Sequence, residues 1–176
     1  MSRQSRVPNP ESAPLIFIAL GSNLGDSRSL VLSAMDRLQG MSDQPLRRSS
    51  LWNTTPVDCP PGSPPFINAV IGLAARPGDT PEGWLDRLQL LERELGRQPK
   101  KVLNEARPLD LDLISFGSVV LKTERLILPH PRAHLRRFVL APLAEIAPDL
   151  VLPGQSLTVR KLLAALDSAE VVQRER

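Results

Sequence analysis

Short apolar runs alternate with amphipathic stretches along most of the chain. Leu15-Ile-Phe-Ile-Ala-Leu20 is a continuous apolar run of strand length and predicts a central strand. It runs into Gly21-Ser-Asn-Leu-Gly25-Asp26. Beyond that, Leu30, Val31, Ala34, Met35 and Leu38 recur at helical spacing, capped by Asp26 or Ser27 and stopped at Gly40. Arg47 to Thr55 reads as a second strand, ended by Pro56. Phe66 to Ala75 reads as a third, and between them lies a loop, Val57 to Pro65, stiffened by Pro60-Pro61 and Pro64-Pro65. Thr80-Pro81-Glu82 supplies a cap, a proline for the first helical position and an acid for the first turn. The helix it opens carries a stripe of Trp84, Leu88, Leu91 and Leu95, with Leu85 alongside, and Gly96 ends it.

Pro108 to Ile114 alternates strictly and predicts another strand. Gly117 then turns into Val119-Val120-Leu121, predicting a hairpin with it. Ala133 to Leu143 and Ser156 to Leu166 predict two further helices, the second with Val159, Leu162, Leu163 and Leu166 on one face. Strands and helices mix without a strict βαβ rhythm, so the expected class is an α+β sandwich.

At roughly 100–200 residues per domain, the 176 residues make one domain. It is expected over residues 15–176, behind a polar, Pro-rich and disordered tail over residues 1–14. The single Cys59 excludes an internal disulfide and fits a reducing, cytoplasmic setting. No apolar run approaches the roughly 20 residues of a membrane helix. Net charge is +3 and the pI about 9.6, without a block of Lys or Arg. That balance suits an anionic small molecule better than nucleic acid, which calls for a denser basic stripe and more stacking aromatics. Only six aromatics are present, Phe17, Trp52, Phe66, Trp84, Phe116 and Phe138, with no Tyr. The core must be aliphatic, and any aromatic on a loop calls for a reason.

The sharpest chemical feature is Asp110 and Asp112 in Leu109-Asp-Leu-Asp-Leu113. On a strand, residues i and i+2 share a face with Cα atoms about 6.6 Å apart. The leucines then face the core and both carboxylates face the other way. From the pattern alone two readings stand: a solvated strand face, or a seat for one or two hard divalent cations that in turn hold phosphates. Arg97, Lys100, Lys101 and Arg107 lie close in sequence and add the cations that a metal–polyphosphate site requires. Arg125, His130, Arg132, Arg136 and Arg137 form a second basic cluster. His130 and His134 have zinc-pair spacing, but Pro129 and Pro131 keep His130 out of a helix interior. No Gly-x4-Gly-Lys phosphate loop is present, which argues against an ordinary P-loop kinase.

Taken together, Gly21-Ser-Asn23, Thr55-Pro56, Phe66-Ile-Asn68-Ala, Glu92 with Gly96-Arg97, Arg107-Pro-Leu-Asp110-Leu-Asp112, Pro129-His130 and Arg136-Arg-Phe138-Val-Leu-Ala-Pro-Leu resemble the 6-hydroxymethyl-7,8-dihydropterin pyrophosphokinase family. The motifs run in order from about Leu15 to Pro153. The resemblance implies a ferredoxin-like α/β sandwich, an antiparallel sheet with helices packed on it. It also implies an activity of folate synthesis: transfer of pyrophosphate from ATP to the hydroxymethyl group of the reduced pterin, releasing AMP, with two Mg²⁺ ions and a monomeric enzyme.

By the same resemblance, Asp110 and Asp112 hold both metals. Arg97, from a mobile loop, and Arg107 contact the triphosphate. Gln89, Glu92, Leu113, Arg125, His130 and Arg136 line the ATP site with Arg107. Thr55, Pro56, Phe66, Asn68 and Phe138 form the pterin pocket. A flat, amide-rich ring needs two π-faces and amide partners along one edge. Phe66 and Phe138 supply the faces and Asn68 the amide; core packing is the competing reading for each phenylalanine. The sequence departs from the family where Asn104-Glu-Ala-Arg107 replaces a common Trp-Gly-Pro-Arg run, and at Pro99 and Ile127.

Overall fold

The computed structural model describes residues 13–99 and 101–176. The tail expected over residues 1–14 lies outside the described residues as far as residue 12, and so does Lys100. Pro14 already belongs to the fold, its carbonyl accepting the Ala75 N–H at 2.8 Å.

The first half of the chain runs β1 (Leu15–Ser22), α1 (Ser27–Gln39), β2 (Arg47–Arg48), β3 (Trp52–Thr54), β4 (Phe66–Ala74), α2 (Pro81–Glu94) and β5 (Asp110–Phe116). All sheet pairings are antiparallel, in the order β5-β1-β4-β3, with β2 also on β4. Counting β2 and β3 as one interrupted strand, this is the βαββαβ arrangement of a ferredoxin-like fold. The interruption has a cause at Ser49. Its side-chain Oγ, not its main chain, accepts the Val70 N–H at 2.9 Å, so the strand slips sideways there.

The remaining elements are β6 (Leu121–Lys122), β7 (Ile127–Leu128), a single 3-10 turn (Ala133–Leu135), α3 (Arg137–Ile146), α4 (Val159–Ala165) and β8 (Val172–Arg174). Three expectations change here. Leu121 pairs with Leu128 in a separate β6–β7 hairpin and not with β5. The helix expected from Ala133 breaks at Arg136, whose extended backbone (φ −117°, ψ 114°) ends the 3-10 turn and starts α3. The last helix starts late, at the Thr158 cap. The closing strand β8 has no counterpart in the hydrophobic pattern; it extends the sheet beyond β3.

Both faces of the sheet are covered, which is why β1 is apolar without interruption. Ile16, Ile18 and Leu20 pack with Val31, Met35 and Leu38 of α1 and Trp84, Leu88 and Leu91 of α2. Phe17 packs on the opposite face with Val70, Ile114 and the Val139, Leu140 and Leu143 stripe of α3. Gly72 stands against the Phe17 ring, where a Cβ would come within 2.8 Å of Cε1. Along this second face the β1 side chains shrink from Phe17 to Ala19 to Gly21. The α3 layer covers the Phe17 end, and the face opens at the Gly21 end.

Candidate active site

Cross-strand partners share a face, so the register assembles the open end of the sheet. Gly21 stands opposite Asn68 on one side and Asp110 on the other, Ala19 opposite Asp112, and Thr54 opposite Phe66. A cleft of about 570 Å³ of open space lies over this surface, lined by Thr55, Phe66, Asn68, Asp110, Asp112 and Phe138 among others. A second opening of about 700 Å³ lies against α2 and the turn after β7, lined by Gln89, Glu92, Arg97, His130 and Arg132. Asn104, Arg107, Asp110, Asp112 and Arg136 border both. The two carboxylates thus sit where the two openings meet.

Most of the residues assigned to the two substrates from sequence separate along this division; Arg107 and Arg136 border both openings, and Leu113, Arg125 and Pro56 line neither. Leu113 is buried in the core below β5. Arg125 is exposed and pairs with Asp86 on α2, so it lines neither opening. Pro56 follows Thr55 without itself lining the first cleft. Within that cleft the Asn68 amide donates to Thr54 Oγ1 at 2.6 Å. A Cβ at Gly21 would come within 2.6 Å of Asn68 Oδ1, so only glycine leaves the amide its place. Each phenylalanine has a guanidinium over its ring: Arg107 at 6.0 Å from the Phe66 centroid and Arg136 at 5.4 Å from that of Phe138.

Helix α2 ends so as to aim Arg97 at the carboxylates. Gly96, at φ +99°, donates to the Arg93 carbonyl, and Arg97 N–H donates to that of Glu92, the paired bonds of a Schellman termination. The guanidinium folds back onto Glu92 and donates to Asp110 Oδ1 at 2.7 Å. Arg97, expected to reach the triphosphate from a mobile loop, here pairs with Glu92 and Asp110, with its side chain only 15% exposed. Glu92 also accepts the Leu111 N–H at 2.7 Å, tying α2 to β5 between the two aspartates. Burial pushes the Glu92 carboxyl up to about 7 against the pull of that hydrogen bond and of Arg97.

Asp110 sits between Arg97 and Arg107, the latter's Nε 3.7 Å away. Asp112 is raised to about 6, by burial first and then by Asp110 beside it. Among the described residues no group of three His, Cys, Asp or Glu side chains comes together as a metal cage. Two carboxylates alone suit Mg²⁺, which binds through one or two carboxylates and completes its shell with water and phosphate oxygens. The buried Arg107 Nε has no hydrogen-bond partner, a donor left for an anion.

His130 lies in the turn after Pro129, its Nδ1 accepting the Arg132 N–H at 3.1 Å, so a neutral ring carries its proton on Nε2. Burial, then Arg136 and Arg132, push it down to about 4. The unfolded chain therefore binds the extra proton first. Stability is lost as pH falls from about 6.5 toward 4, by up to about 3 kcal/mol. His130→Gln is expected to remove that part of the slope in urea unfolding followed across this window. Parallel parent and variant curves would show that His130 is not held neutral.

Sequence reasoning assigned no role to Asn23, Thr54, Cys59 or Asn104. Asn23 is 4% exposed and joins three segments. Its Oδ1 accepts the Arg107 N–H at 2.9 Å, and its amide donates to the Pro64 carbonyl. The signal for it was its place directly after the first strand. Asn104, at φ +53°, donates to the Asp58 carbonyl at 2.7 Å and bridges the two loops over the cleft.

The model of the family described as 7,8-dihydro-6-hydroxymethylpterin-pyrophosphokinase matches residues 17–148. The chain belongs to that family. Among similar proteins, the 2-amino-4-hydroxy-6-hydroxymethyldihydropteridine pyrophosphokinase of Pseudomonas aeruginosa is 39% identical over 85% of this chain and 90% of its own. The Haemophilus influenzae protein of the same name is 37% identical over 80% and 86%. The folic acid synthesis protein fol1 of Pneumocystis carinii is 38% identical over 82% of this chain, which spans only 19% of that protein. A solved Plasmodium falciparum HPPK-DHPS superposes with a TM-score of 0.67 at 13% identity, covering 87% of this chain and 44% of that one. At that identity the likeness is one of fold. No helix among the described residues is long and apolar enough to cross a membrane.

Proposed function

We propose that this pyrophosphokinase transfers the β,γ-pyrophosphoryl group of ATP to the hydroxymethyl oxygen of 6-hydroxymethyl-7,8-dihydropterin and releases AMP. The observation that carries this reading is the shared wall: two openings meet at Asp110, Asp112, Arg107 and Arg136. The substrate hydroxyl gives up its proton to solvent as its oxygen bonds the β-phosphorus, the bond from that phosphorus to the α–β bridging oxygen breaks, and the electron pair leaves on AMP. Such a transfer asks for alignment and charge neutralisation rather than a covalent protein intermediate.

The pterin ring lies between Phe66 and Phe138, its amide edge toward Asn68 and the Thr55-Pro56 backbone. The Gly21 gap lets Asn68 reach that edge. The triphosphate takes Arg97 and Arg107 in place of Asp110, which they hold in the free protein. The ATP lies along Gln89, Glu92, His130 and Arg136. Two Mg²⁺ ions held by Asp110 and Asp112 would neutralise phosphate oxygens and acidify the substrate hydroxyl. Arg136, in the extended link before α3, adds a guanidinium between the two openings. We further take the chain to act as a monomer in the cytoplasm, where its one cysteine needs no oxidised partner.

Incubation with ATP, Mg²⁺ and the reduced hydroxymethylpterin is expected to yield AMP in step with pterin consumed. ADP as the nucleotide product, or AMP released at the same rate without the pterin, would refute the assignment.

A further inference from the structure

The last stretch of the chain, residues 167–175, lies beyond the residues the family model matches, yet it ties together two walls of the pterin-side cleft. Helix α3 begins at Arg137 with no side-chain cap from its own neighbourhood. The first N–H groups of a helix have no partner inside it and favour a negative charge. Glu170 supplies one from 32 residues away, its Oε2 accepting the Phe138 N–H at 3.0 Å.

The adjacent residue holds the opposite wall. Thr55 N–H donates to the Val171 carbonyl at 3.0 Å, and Val171 N–H donates to Thr55 Oγ1 at 3.1 Å. Two consecutive residues thus grip Phe138 on α3 and Thr55 at the end of β3, both lining one cleft. The grip is anchored on each side. Leu166 accepts from the Arg137 guanidinium at 2.8 Å before it. After it, β8 pairs with β3, and Glu175 N–H donates to the Leu51 carbonyl at 2.8 Å.

We propose that the Glu170–Val171 strap sets the spacing of the pterin cleft, with Glu170 as a positioning residue that acts through Phe138. This rests on the pterin occupying that cleft. Glu170 and Val171 line neither opening, but their partners Phe138 and Thr55 line the pterin-side cleft and not the ATP-side one, so the strap discriminates between the two substrates. Losing one hydrogen bond to a charged group at the start of α3 is expected to weaken pterin binding about tenfold.

The test is calorimetry of reduced hydroxymethylpterin binding with Mg²⁺ and a non-hydrolysable ATP analogue present, and of analogue binding alone. E170A is expected to weaken the pterin about tenfold and leave the analogue within about twofold. E170Q keeps an acceptor oxygen and is expected to recover most of the loss. V171P deletes the donor to Thr55 and tests the other end independently should E170A fold poorly. Phe138→Ala is measured alongside. If Phe138→Ala loses the pterin and neither strap variant does, the strap positions nothing. If Phe138→Ala and the strap variants all bind the pterin as the parent does, the cleft assignment itself fails. Equal loss of both ligands in E170A, unrecovered in E170Q, marks a merely structural role and overturns the proposal.

Discussion

Asp112→Asn is expected to abolish turnover and, in metal-free buffer at pH 8, to make the protein melt higher than the parent. The two effects share one cause. Asp112 stands beside Asp110 in a partly buried cleft, and its carboxyl is raised to about 6 by burial and by that neighbour. An acid raised above its unfolded value holds its proton more tightly when folded. Its penalty is absent below about pH 4 and fully present above about pH 6. Removing the charge returns on the order of 2 kcal/mol at pH 8, roughly 5 °C in melting temperature for a chain of this length. The same charge is what would hold a cation against the triphosphate, so its loss is expected to cost at least about 10³-fold in kcat. Asp110→Asn is expected to be equally inactive but to melt lower, because it strips Arg97 and Arg107 of their shared partner. A lowered melting point for Asp112→Asn, or near-parental turnover for either variant at saturating Mg²⁺, would refute this account of the pair.

Glu92→Leu carries the second large effect, this time on the fold. The substitution preserves volume and adds apolar surface where Glu92 is only 7% exposed, so a simple burial argument predicts a gain. The hydrogen bonds predict the reverse. The Leu111 N–H loses its acceptor, and Arg97 keeps only Asp110. An orphaned buried donor and a half-paired buried cation together cost about 3 kcal/mol or more, or roughly 9 °C. Glu92→Gln keeps an acceptor for Leu111 and removes a charge that burial penalises above about pH 7, so at pH 8 it is expected to melt at or above the parent. Thermal melts of both at pH 8 decide the matter. A Leu variant as stable as the Gln variant would mean that the α2–β5 link rests on packing alone.

What the pattern revealed and what it hid follow from the range of the interactions concerned. The alternation in Leu109 to Leu113 exposed both the strand and its acidic face, because a period of two is a local property. The same holds for the stripe through Trp84, Leu88 and Leu91. Glu92 lies four residues after Leu88, on that buried stripe; a charge at a core position was the available sign of its structural bonds. The break at Arg136 carries no Gly or Pro to mark it in the sequence; it shows only in the extended backbone there. The Ser49 slip and strand β8 each depend on partners more than 20 residues away. The residues assigned to the substrates came from the resemblance, and the register brings part of that set together: Gly21, Asn68 and Asp110 lie abreast on three neighbouring strands. Arg125 and Leu113, assigned by the same resemblance, lie elsewhere: Leu113 points into the core, and Arg125 pairs with Asp86 on α2.

The transfer itself is tested most directly by the fate of phosphorus. With ATP, Mg²⁺ and 6-hydroxymethyl-7,8-dihydropterin, the phosphorus NMR spectrum of the isolated pterin product is expected to show two mutually coupled signals, from the β and γ phosphorus of ATP, with the α phosphorus found only in AMP. A pterin carrying a single phosphorus, with ADP left behind, would contradict pyrophosphoryl transfer at the Asp110–Asp112 wall.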